Sequence, residues 1–143
     1  MYRSLIFIVL WLLCMSSANA QSNWNKLEVV KKAAIEIRAL QKSQGNSKAL
    51  AEIDECYGRI LRPSNSYSPA VEACLTKDFV ISTTTFAYYM QQSQEEKAKA
   101  FADGMRRRIA STFLFFGIQD EAPAFGKLLV DNVARLLREG GLE

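Results

Sequence analysis

From Trp24 onward the apolar residues of this chain recur every three or four positions, in runs cut by glycine and proline. That period marks α-helices with one buried face. The first stripe, from Trp24 to about Ser43, sets Leu27, Val30, Ala34, Ile37 and Gln41 on one side. It breaks at Gly45-Asn46-Ser47, where Asn46 or Ser47 suits the cap of the next helix. The second, Lys48 to Arg62, carries Leu50, Ile53, Tyr57, Ile60 and Leu61 and is stopped by Pro63. Pro63-Ser64-Asn65-Ser66-Tyr67 is a turn-forming loop, and Ser68-Pro69 reads as the N-cap and first residue of a third helix.

The third stripe, Val71, Leu75, Phe79, Phe86 and Met90, contains the β-branched run Val80-Ile81-Ser82-Thr83-Thr84-Thr85, which suits a strand as well. Strict alternation is missing and no second strand-like run offers a partner, so helix is preferred, with the choice at 80–85 left to the structure. Ser93-Gln94-Glu95-Glu96 has the form of a capping box before the fourth stripe, Ala98, Phe101, Met105, Ile109, Thr112 and Phe116. Gly117-Ile118 suits a Schellman ending. The fifth stripe is Ala122, Phe125, Leu129, Val133 and Leu136, with Asp120 expected as its cap, Pro123 in its first turn and Gly140-Gly141 at its end. The expected fold is all-α: a single-domain bundle of about five helices.

The first twenty residues read differently. Arg3 precedes the apolar run Leu5 to Leu13, which is shorter than the about 20 residues a bilayer span requires. Ala18-Asn19-Ala20 then supplies the small side chains of a signal-peptidase site. The expected organisation is a cleaved signal peptide, 1–20, and a helical domain, 21–143, which places the mature protein in the periplasm or outside the cell. Stable membrane insertion after cleavage is not expected. Cys14 is discarded with the signal: Leu12 and Leu13 stand where a lipoprotein acceptor has small residues.

Cys56 and Cys74 survive cleavage, and in an oxidising compartment an isolated pair is most simply a structural disulfide. The close Cys-x-x-Cys spacing of redox-active pairs is absent. On the helical map the cysteines face each other across an antiparallel hairpin. Removing Arg3 from the 18 basic residues leaves 17 against 15 acidic, a net charge of about +2 that gives no concentrated basic face for nucleic acid. The chain has no histidine. It therefore lacks the usual general base near neutral pH, the common zinc ligand and the axial ligand of most haems. No metal-ligand cluster, phosphate loop or haem motif is present, and no cofactor or metal is expected. Asp54-Glu55 and Glu95-Glu96 point about 100° apart on a helix, so neither makes a two-carboxylate acid–base site.

Three features are weighed as sites. Arg106-Arg107-Arg108 spans most of a helical turn and reads as a solvated face with some ion pairing. Phe113-Leu114-Phe115-Phe116 makes a helix end that is apolar all round. Enclosure by neighbours is the expectation in a bundle, and an interface through Phe113, Leu114 and Phe115 is the alternative. The hydroxyls of Ser82 to Thr85, with Tyr88 and Tyr89, are candidates to line a ligand site, with Thr84 and Tyr88 facing the ligand.

The segment Tyr67-Ser68-Pro69-Ala70-Val71-Glu72-Ala73-Cys74-Leu75-Thr76-Lys77-Asp78-Phe79, with Cys56-Tyr57-Gly58-Arg59 before it, resembles small exported proteins of alphaproteobacteria. The resemblance covers about Ile53 to Gly117 and implies a compartment without implying an activity. Cys56-Tyr57-x-x-Ile60 is similar to the first cysteine region of Rap1a/Tai-type immunity proteins of type VI secretion. The further cysteines of those proteins have no match here. The expected function is that of a non-catalytic interaction or structural protein, whose partner is another protein or a second copy. Alternatives are an immunity-type inhibitor binding a toxin enzyme through a loop such as Ser64 to Ser68, and a small-ligand carrier or enzyme using hydroxyls and carboxylates. The last predicts a deep pocket beside Thr84 and Tyr88.

Overall fold

The structure is a computed structural model that describes residues 24–141; the expected signal segment 1–20, with Cys14, lies outside the described residues. Helices α1 (Lys26–Gln44), α2 (Asn46–Ile60), α3 (Pro69–Gln91) and α4 (Glu95–Phe115) follow one another in the order the stripes predict. A 3-10 turn (Gln119–Glu121) leads into α5 (Ala122–Leu128). This helix continues through a π-helical segment (Leu129–Ala134) into α6 (Arg135–Arg138). No strand occurs among the described residues, and 80–85 is helix.

Helix α3 is the axis of the bundle, packed against α1, α2, α4 and the π-helical segment. Cross-helix pairs fix the directions. Trp24 meets Glu72 and Gln41 meets Thr84, so α1 and α3 run parallel. Asp78 meets Arg108 and Tyr89 meets Phe101, so α3 and α4 run antiparallel. Enclosure on several sides explains why the β-branched run is helical. Val80 and Ile81 are fully buried, and the apolar area they bury outweighs their slight intrinsic reluctance to enter a helix. The same α3 carries buried Glu72, Thr76, Asp78, Ser82 and Thr85 among its apolar residues. Val30, Ile37, Ile53, Leu75, Phe113, Phe125, Leu129 and Val133 complete a core drawn from every long element.

Cys56 and Cys74 form a disulfide, with their Cα atoms 5.8 Å apart, and both are buried where α2 faces α3. The loop beyond it is tied down at two points. Asn65 Nδ2 donates to the last carbonyls of α2, Arg59 O at 2.8 Å and Ile60 O at 3.1 Å. Tyr67 packs its ring between Trp24, Phe113 and Phe116.

Helix ends show where local sequence signals were overruled. A single residue, Gly45, joins α1 to α2 at φ +87°, a conformation L side chains rarely adopt. Gly45 itself occupies the N-cap position of α2, so neither Asn46 nor Ser47 caps it. Asn46 Oδ1 instead accepts from Gln41 Nε2. The capping box at Ser93 does not form. Ser93 adopts φ +56° and ends α3, with Ser93 N–H bonded to Met90 O and Gln94 N–H to Tyr89 O. Those are the two bonds of a Schellman motif, which leaves Gln94 as the N-cap of α4. The Schellman ending expected at Gly117-Ile118 is present, through Gly117 N–H to Leu114 O and Ile118 N–H to Phe113 O. Ser68 and Pro69 begin α3 as predicted. Asp120 caps nothing with its side chain, because the 3-10 turn satisfies that entry through Glu121 N–H to Ile118 O.

Candidate functional site

Between the C-terminal end of α1, the first residue of α2 and the last turns of α3 lies a cavity of about 330 Å³. Arg38, Gln41, Asn46, Thr84, Thr85, Tyr88 and Tyr89 line it. The sequence-predicted pair Thr84 and Tyr88 thus share one site, joined by α1 residues that the sequence reading counted only as helix. Gln41 wires the frame. Its Nε2 donates to Asn46 Oδ1 at 2.9 Å and Thr84 Oγ1 at 3.1 Å, and its Oε1 accepts from Arg38 Nη1 at 2.8 Å. Thr84 Oγ1 also donates back to the carbonyls of Val80 and Ile81. Tyr88 is exposed, and its ring meets Tyr89 edge-on at 5.5 Å. Tyr89 in turn packs on Phe101 at 5.6 Å.

At the far end of the bundle, the end of α4 divides its apolar run in two. Phe113 is 1% exposed and packs against Phe125 and Tyr67, so it belongs to the core and not to a surface. Leu114 and Phe115 are 61% and 45% exposed, which corrects the expectation that neighbours enclose this helix end. The Schellman turn explains the outcome: it ends α4 at Phe115 and turns the chain at Gly117, leaving the outward side uncovered. Phe115 meets Phe116 edge-on at 5.0 Å, and Phe116 meets Tyr67 at 5.8 Å. The exposed ring is therefore the outer member of an aromatic stack rooted in the core.

Two buried carboxylates, which the sequence reading passed over, hold the interior polar groups. Asp78 accepts from Arg108, from Tyr57 Oη at 2.8 Å and from Ser82 Oγ at 2.9 Å. Glu72 accepts from Trp24 Nε1 at 2.7 Å and Tyr67 Oη at 2.9 Å, with Lys26 Nζ at 3.3 Å. Burial, reinforced by the facing carboxylate, pushes the phenols of Tyr57 and Tyr67 well above their usual range. The hydrogen bonds that Arg108 donates to Asp78 hold its guanidinium above its usual value. Each carboxylate left a signal in the sequence: an acid followed by apolar residues, with a hydroxyl residue, Thr76 or Ser82, one turn later. In the arginine cluster, Arg106 pairs with Asp103 on the surface, as a solvated face would have it, whereas Arg108 departs from that expectation and reaches inward to the buried Asp78.

A groove of about 500 Å³ also runs beside the disulfide, bounded by Arg59, Lys77 and the exposed Ser64-Asn65-Ser66. Among the described residues no group of three metal-ligating side chains occurs, and no helix is long and apolar enough to cross a membrane. Fold and surface together describe a disulfide-stapled, all-α domain with a cavity between α1 and α3 and an exposed apolar pair at the end of α4. No family model, curated protein or solved structure matches the chain.

Proposed function

We propose that this is an exported, non-catalytic interaction protein that docks a protein partner, or a second copy of itself, on the tip of α4. One observation carries the reading: Leu114 and Phe115 stand exposed side by side, and Phe115 is the outer member of an aromatic stack anchored through Phe116 and Tyr67. A large apolar side chain held rigid before binding loses little entropy on docking, the property of interface anchors. The non-catalytic part is supported by the use of the carboxylates. With histidine absent, Glu72 and Asp78 are the buried candidates for acid–base work, and both are enclosed in the core by hydrogen-bond partners. Export rests on Arg3, the short apolar run and Ala18-x-Ala20, and a disulfide fits an oxidising compartment.

The test is crosslinking in the periplasm of the producing cell, comparing the wild-type chain with Leu114→Ser/Phe115→Ser. The reading requires a mature N-terminus at Gln21 and a crosslinked species that the double variant loses. A wild-type protein that stays monomeric and uncrosslinked overturns it. A toxin-inhibitor version is favoured by the loop, since Asn65 and Tyr67 pin Ser64-Asn65-Ser66 into a fixed exposed display. In that case substitutions at Ser64 and Ser66 abolish the crosslink while those at Leu114 and Phe115 leave it.

A further inference from the structure

Among the described residues the buried hydroxyls follow one pattern, with one exception. Thr76 Oγ1 donates to Glu72 O at 2.7 Å, Thr112 Oγ1 to Arg108 O at 2.8 Å, and Ser82 Oγ to Asp78 Oδ1 at 2.9 Å. Each returns its hydrogen bond to its own helix one turn back, the usual fate of such a group. Thr85 does not. It is 5% exposed, and its Oγ1 has no hydrogen-bond partner. A buried hydroxyl left unpaired is costly enough that native structures seldom keep one without a ligand or water to satisfy it. Thr85 lines the cavity described above.

A second residue that lines the same cavity also carries an unpaired polar atom. Arg38 Nε is buried without an acceptor, although Nη1 is held by Gln41. Arg38 has no carboxylate partner among the described residues, and no acidic side chain lines the cavity. The remaining polar groups, Gln41, Asn46 and Thr84, already bond one another. The residues that line the cavity offer a ligand one guanidinium without a carboxylate partner, one unpaired hydroxyl and the tyrosine wall of Tyr88 and Tyr89.

From this we infer that the cavity between α1 and α3 binds a small organic monocarboxylate with a flat apolar body, its carboxylate between Arg38 and Thr85 and its body against the tyrosines. The charge matches, since one guanidinium balances one carboxylate, whereas a phosphate dianion would leave a second charge uncompensated in a half-buried site. The size matches too: about 330 Å³ lies at the low end of the range of small-molecule sites. The site lies at the opposite end of the antiparallel α3–α4 pair from Leu114, so it is independent of the proposed docking surface.

The test uses the purified, disulfide-bonded protein, followed by ¹H–¹⁵N correlation spectra that include the arginine Nε–H region. The probes at constant ionic strength are benzoate, the neutral isostere benzamide, acetate and inorganic phosphate. Benzoate is expected to shift Arg38 Nε–H and the amides of Thr85 and Tyr89 saturably, with benzamide and phosphate at least about tenfold weaker. Acetate, lacking the flat body, binds more weakly than benzoate. Arg38→Gln lowers benzoate affinity about tenfold or more. The near-isosteric Thr85→Val weakens binding while leaving thermal stability equal or higher, because it removes an unpaired hydroxyl. The inference is overturned if Arg38 Nε–H does not move with benzoate, if benzamide or phosphate binds as well as benzoate, or if folded Arg38→Gln retains full affinity.

Discussion

Arg108 grips Asp78 with two parallel hydrogen bonds, Nε to Oδ2 at 2.7 Å and Nη2 to Oδ1 at 2.6 Å, joining α4 to α3. The carboxylate is 0% exposed while the guanidinium side chain remains 43% exposed, so the arginine reaches in from the surface to neutralise a charge the core cannot otherwise hold. Removing the arginine leaves that charge buried. Arg108→Met is expected to cost about 3 kcal/mol, the lower end for a broken buried pair because the guanidinium keeps contact with water. The double variant Arg108→Met/Asp78→Asn should recover part of the loss. Urea unfolding of the four proteins measures the coupling, and strictly additive losses would refute it.

Phe113 and Leu114 are neighbours in sequence with opposite environments. Phe113→Ala removes a ring packed between Tyr67 and Phe125 and is expected to cost about 3–5 kcal/mol. Leu114→Ser should stay within about 0.5 kcal/mol of wild type. Thermal melts separate the two directly, and a large loss from Leu114→Ser would mean that this residue is covered.

Ser93 holds a left-handed conformation that glycine adopts without strain. Ser93→Gly is expected to stabilise the protein by about 0.5–1 kcal/mol, the relieved strain exceeding the added freedom of the unfolded chain. A loss of that size would instead show that Ser93 does cap α4 through its side chain.

The staple between Cys56 and Cys74 closes a loop of sequence separation 18. Cys56→Ser/Cys74→Ser should lose about 3 kcal/mol, most of it from the greater freedom of the unfolded chain. Non-reducing intact mass checks the bond itself, and two thiols reactive towards iodoacetamide in the native protein would contradict it.

Alkaline pH should unfold the protein through Tyr57 and Tyr67. Their folded values are raised, so the stability they contribute is fully present below an unfolded value of about 10 and is lost as pH rises beyond it. Glu52 has the opposite sign. Burial pushes its carboxyl up, but Lys77 and Arg59 together outweigh that and hold it lower. Its contribution is present above the ordinary glutamate value of 4.5 and fades as pH falls through the folded value. Phenolate absorbance recorded with near-ultraviolet circular dichroism tests the alkaline limb. Ionisation of Tyr57 or Tyr67 before tertiary structure is lost would refute it.

The sequence by itself determined the number and order of the helices, because an apolar stripe at helical spacing has to face a core and Gly45, Pro63 and Gly117 have to interrupt it. It also determined the pairing of Cys56 with Cys74, since two cysteines facing each other across a short hairpin come within bonding reach. Tertiary structure alone decided the rest. Periodicity treats each helix as having one inner face, whereas α3 is enclosed by several neighbours, so its β-branched run is helical and Glu72 and Asp78 find donors on other elements. Ser93 shows the same limit at a helix end: its capping signal is local, yet the direction in which the next helix must leave fixes which residue turns. The cavity at Arg38 and Thr85 was half legible, through Thr84 and Tyr88 on α3. Its cation comes from α1, more than forty positions earlier, and only the parallel packing of α1 on α3 brings the two together.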